Sequence, residues 1–178
     1  MKKIYLLLLA FTLLAGCSAA PPTTYTTQPQ ANHPLDSLTL PQILQAIYEK
    51  EPVELSLGNI DVDLQDPYAV ESYLGLQNAA GIREALASES MFGAQAYSLV
   101  LCRVDAKADA QQIAKAMAEG INQRKWVCVY ADDLKVSVAD KVIMLIMLSS
   151  EYADSATAQS LTDAFRQVAG GSLTAQIR

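Results

Sequence analysis

Seven consecutive apolar residues, Val142-Ile-Met-Leu-Ile-Met-Leu148, constrain this chain more than any other stretch. A run that short cannot cross a bilayer, which takes about 20 apolar residues in a helix. As a strand it sends successive side chains to opposite faces, so it predicts a central strand covered on both sides. Leu134, Val136 and Val138 alternate just before it and Ala139-Asp140 supplies the turn, which makes the two segments a hairpin. Tyr97 to Val104 also alternates. Helix propensity competes over 81–89, but the compact, glycine-bearing connection Met91-Phe-Gly-Ala-Gln95 favours a second antiparallel hairpin, 81–89 with 96–104.

Helices are expected around these strands. Thr39 caps one, with Pro41 in its first turn, Leu40, Ile43, Leu44 and Ile47 on one face, and Pro52 closing it. Asp66-Pro67 opens a short helix over 67–74 that stops at Gly75. The intervening segment from Glu54 to Leu64 alternates as a short strand or an extended loop. Lys107 to Arg124 carries the stripe Ala110, Ile113, Ala114, Met117 and Ile121, with Arg124 and Lys125 at the negative end of the helix dipole. Trp126 to Tyr130 alternates as further strand material. A last helix over 154–169 starts at Asp154 or Ser155 and ends at Gly170-Gly171. The expectation is an α+β fold: a single two-layer domain over 37–172, mainly an antiparallel sheet of about four strands (81–89, 96–104, 133–138, 141–149) with helices packed on one face, then a tail over 173–178.

The N-terminus is of another kind. Lys2 and Lys3 precede an apolar stretch from Ile4 to Leu14, and Leu14-Ala15-Gly16-Cys17 follows. This resembles a bacterial lipoprotein signal with its lipobox, and all four box positions hold accepted residues. The resemblance implies a signal peptide over 1–16, diacylglycerol on the Cys17 sulfur and cleavage before Cys17. Two acyl chains anchor stably, since each buried methylene contributes about 0.8 kcal/mol. Residues 18–36 contain four of the seven prolines and no charge before Asp36, so they are expected to form a flexible tether dispensable for folding. His33, the single histidine, falls in this tether without other ligand-type residues beside it.

Further along, Tyr97-Ser-Leu-Val-Leu-Cys-Arg-Val-Asp105, the alanine-rich helix after it, Lys125-Trp-Val-Cys-Val129 and Lys141-Val-Ile-Met-Leu-Ile-Met147 resemble a family of bacterial lipoproteins grouped as the domain of unknown function four-three-five-eight. The resemblance covers about residues 37 to 170. It implies a home on the outer face of a Gram-positive-type membrane and strand structure at 81–89. It implies no activity and no catalytic residue.

Chemistry is sparse. P-loop, G-x-G-x-x-G, C-x-x-C, S-x-x-K and G-x-S-x-G motifs are all missing from the sequence, and nothing calls for a cofactor. Removing residues 1–16 leaves 11 basic against 19 acidic residues, a formal charge of −8 that repels nucleic acids. Glu49, Glu51, Glu54, Asp61, Asp63, Asp66 and Glu71 face only Lys50. Asp61-x-Asp63-x-x-Asp66 fails as a calcium loop, because Gln65 and Asp66 stand where an acid or amide and a glycine are needed and Ser72 where the closing glutamate belongs; a solvated acidic rim accounts for it better. A disulfide between Cys102 and Cys128 is chemically allowed outside the cell, but their mid-strand setting favours two buried thiols. Trp126 and Tyr130 form either a binding shelf or, by preference, core packing. The sequence therefore points to a lipid-anchored, extracytoplasmic, noncatalytic module that binds an envelope protein or peptide, with a small hydrolase using paired carboxylates as the alternative. Mass spectrometry of the membrane fraction is expected to find the chain beginning at an acylated Cys17; an intact Met1 terminus would contradict it.

Overall fold

The computed structural model describes residues 33–178; Cys17 and the first part of the expected tether lie outside the described residues. The apolar run is strand β5, Val142–Leu148, with all seven side chains buried. It lies between β3, Tyr97–Val104, and β4, Asp133–Ala139, antiparallel to both, with Leu101 opposite Met144 and Val136 opposite Leu145. The hairpin partner of β3 is β2, Ile82–Ser90. Four strands were expected; the sheet has six, because β1, Leu57–Asp61, adds to β2 and β6, Ala175–Ile177, adds to β4. The expected tail is thus an edge strand whose Ile177 packs against the core. A register shift between Ile82 and Glu84 turns Ile82 to the opposite face from Leu86, although an unbroken strand would put the two on one face.

Helices cover both faces of the sheet, which corrects the expectation of one covered face. Along β5 the side chains of Ile143, Leu145 and Met147 join one core and those of Met144, Ile146 and Leu148 another, so a single helical layer would leave half of them in water. Helices α1, Leu40–Lys50, and α4, Ala158–Val168, cover the second core. Thr39 and Thr157 cap them, and Thr157 rather than Asp154 or Ser155 starts α4. The first core lies under α2, Pro67–Ala69, with the π-type turn Val70–Leu74 that continues it, and under α3, Ala110–Gly120. Asp109 caps α3, accepting from the N–H groups of Gln111 and Gln112. The helix stops at Gly120, short of the expected Arg124, because its end presses on the turn at Gly75. A Cβ on Gly120 would lie 2.0 Å from the Gly75 carbonyl oxygen, and one on Gly75 2.4 Å from the Ile121 nitrogen.

The folded region also begins earlier than expected. His33 caps a 3₁₀ turn over Pro34–Ser37, and Leu35 is 1% exposed in the core with α1 and α4. Arg103, itself buried on β3, fastens this segment: its guanidinium donates to the carbonyls of Leu35 (3.3 Å) and Leu38 (2.6 Å) and to Glu84 (2.8 Å). Residues 33–36 are therefore part of the domain rather than tether. Starting the chain at Asp36 should destabilise the fold by about 2 to 4 kcal/mol through the lost Leu35 side chain and an orphaned Arg103 donor. Urea denaturation of chains starting at 33 and at 36 measures this, and equal midpoints would refute it.

Candidate functional site

With both faces sealed, the sheet meets solvent at its edges, and β1 is the longer edge. The Ser56 carbonyl accepts from the Met91 N–H (2.9 Å) and the Val62 N–H donates to the Ala85 carbonyl (3.0 Å). Antiparallel alternation then points the backbone groups of Leu57, Asn59 and Asp61 away from the sheet. The same alternation places the Leu57 and Asn59 side chains on the α1 side, while Ile60 stands half-exposed on the other. Between β1 and α1 runs a groove of about 480 Å³ floored by Leu44 and Tyr48 and bounded by Asn59. A second hollow of about 430 Å³ shares Tyr48 and Asn59 and extends past Pro52, Val53 and Leu55. Tyr48 is held in place by hydrogen bonding of its hydroxyl to Ser88 Oγ (2.9 Å) and to the Tyr97 hydroxyl (3.1 Å). Burial raises the pKa of both phenols, so this pair stays neutral at ordinary pH.

Part of the acidic run of 49–71 lies at this edge. Glu49 lines the groove, Asp61 ends β1, and Glu54 and Asp63 are exposed beside them. Asp63 accepts from the Gln65 N–H (2.8 Å) and Asp66 from the Tyr68 N–H (2.9 Å), which makes them turn caps. Among the described residues no three His, Cys, Asp or Glu side chains gather as a metal site. Asp132 titrates low because Ser150 donates to it through both hydroxyl and N–H, the opposite of what a carboxylic general acid requires.

A second polar cluster lies on the α3 side. Lys125 Nζ pairs with Glu89, donates to the Ser72 carbonyl (3.2 Å) and Ser98 Oγ (3.4 Å), and sits over the rings of Tyr73 and Trp126. Burial pulls its pKa below the usual lysine value while Glu89 pulls it back. All three of its N–H donors are engaged, so the cluster is a stitch between loop and sheet rather than a free nucleophile.

The structure separates the residues singled out in sequence. Cys102 is buried on β3, 3.9 Å from the Met117 sulfur, whereas Cys128 is exposed; the two are unbridged. Residues 126–130 form a loop instead of a strand, with Cys128 in a left-handed conformation (φ 64°) that interrupts any extended run. Trp126 packs partly against the core, while Tyr130 is 48% exposed beneath the Arg124 guanidinium. His33 Nδ1 accepts from the Leu35 N–H as a cap. The groove residues Tyr48 and Asn59 were not singled out in sequence; the alternation beginning at Glu54 was the one local signal for Asn59, and the apolar face read on α1 did not include Tyr48. Comparisons with protein-family models, with curated proteins and with solved structures find no match to this chain.

Burial pushes the Cys102 thiol up to about 12, so it stays protonated and shielded at neutral pH. Alkylation of the native protein at neutral pH should therefore mark Cys128 and spare Cys102, as read by peptide mapping. Equal labelling of both would show that β3 is open to solvent.

Proposed function

We propose that this chain is an envelope lipoprotein, cut before Cys17, lipidated there and held on the extracytoplasmic face of the membrane, where its folded domain acts as a noncatalytic interaction module. The complete lipobox and the resemblance to the lipoprotein family support the anchor. The observation that carries the interaction role is the edge of β1, where backbone groups of Leu57, Asn59 and Asp61, unpaired among the described residues, lie beside two hollows floored by fixed side chains. Unpaired strand edges are ready templates for another chain, and proteins usually shield them with lysine, proline or a covering segment. The residues of β1, Leu-Gly-Asn-Ile-Asp, include neither lysine nor proline.

The hydrolase alternative fares less well, because Asp63 and Asp66 serve as backbone caps and Asp132 is held ionised. A photo-cross-linking residue at position 59 of the full chain, expressed in its native envelope, should give a discrete adduct that the same residue at exposed position 167 does not. Adducts from neither position, together with hydrolysis abolished by carboxylate substitutions, would overturn the module in favour of the enzyme.

A further inference from the structure

We infer that β1 receives an extended, basic segment of a partner protein, which joins the sheet as a seventh strand. The inference rests on the interaction-module reading and adds to it the site, the conformation and the charge of the partner. An incoming strand can pair with the backbone groups of Leu57, Asn59 and Asp61, which already lie in register along an ordered edge. Its side chains then alternate with a period of two residues, about 6.6 Å. One set enters the hollows between β1 and α1, against the Tyr48 ring, Val53 and Leu55. The other set meets Ile60, and beside it Met91, which is 72% exposed and whose Cγ stands 3.6 Å from where a Gly58 Cβ would be. Both sides of the added strand thus find apolar surface.

Charge selects the partner. Glu49 lines the groove and Asp61 ends β1, and the chain joining them adds Glu51 and Glu54, with Asp63 just beyond, against the single Lys50 of this stretch, so an acidic strand would be repelled and a lysine- or arginine-bearing one attracted. The same charges argue against a second copy of this chain. Antiparallel self-pairing centred on Asn59 would set Leu57 of each copy opposite Asp61 of the other and crowd the two acidic rims together. The opposite edge is a poorer seat: β6 has three residues, and its Gln176 side chain is bonded to Arg166 and Gln159.

The test uses the full chain, solubilised from its membrane in nonionic detergent, and a library of random peptides panned against it without bias. The expected winners are basic at alternate positions. A synthetic winner should slow amide hydrogen exchange at Leu57, Asn59 and Asp61 by about tenfold or more, leaving Gly58 and Ile60 unchanged. Methylating its alternate backbone nitrogens should abolish this protection. Asn59→Pro, which removes an outward N–H, should weaken binding by about tenfold, and Glu49→Lys with Asp61→Lys should do so without touching the β1 backbone. Winners that are acidic or neutral, or that protect amides away from β1, would overturn the inference while leaving an interaction module standing. No enrichment at all would overturn both.

Discussion

The double burial of β5 is the constraint from which the rest of this fold follows. A strand with no polar side chain must lie inside a sheet and must carry cover above and below it, which makes β3 and β4 its neighbours and requires two separate helical layers. The helices meet that demand with narrow apolar faces: Ala114 and Met117 of α3 on one side, Ile43 and Ile47 of α1 with Leu161 and Phe165 of α4 on the other. With β2, β3, β5 and β4 in the interior, β1 and β6 are left as the edges, so the exposed backbone on which binding is proposed is a by-product of how the core is closed.

Much of this was legible in the residues because the signals were local. The apolar run, the alternation of Tyr97 to Val104 and the Thr39 and Asp66 caps each specify an element without reference to a distant partner. Failures occurred where a distant contact decides. Ala175–Ile177 is a strand because Val136 and Val138 offer it a register, and nothing within three residues announces that. Alternation over Trp126 to Tyr130 looked like a strand, yet Trp126 is drawn to Lys125 and the core while Cys128 turns left-handed. Gly120 cuts α3 short because Gly75, distant in sequence, lies against it. The requirement that β5 be covered twice was readable; the allotment of each helix to its face depends on chain paths that side-chain type does not encode.

The candidate site was half-visible for the same reason. The acidic run of 49–71 is conspicuous, and its solvated character follows from composition alone. What composition cannot supply is that α1 lies beside β1 at a spacing that leaves hollows, or that Ser88 and Tyr97 pin the Tyr48 ring into their floor.

The grip of Arg103 on the carbonyls of Leu35 and Leu38 also has a mechanical meaning. A pull on the chain ahead of His33 reaches α1, which follows it in the chain, and also β3, the third of six strands, which is bonded to β2 on one side and β5 on the other. Load is thereby delivered to the interior of the sheet, where a strand must slide against two neighbours, and not to β1 or β6, which would peel one bond at a time. Such a pull would strain the latch while leaving the β1 edge in register.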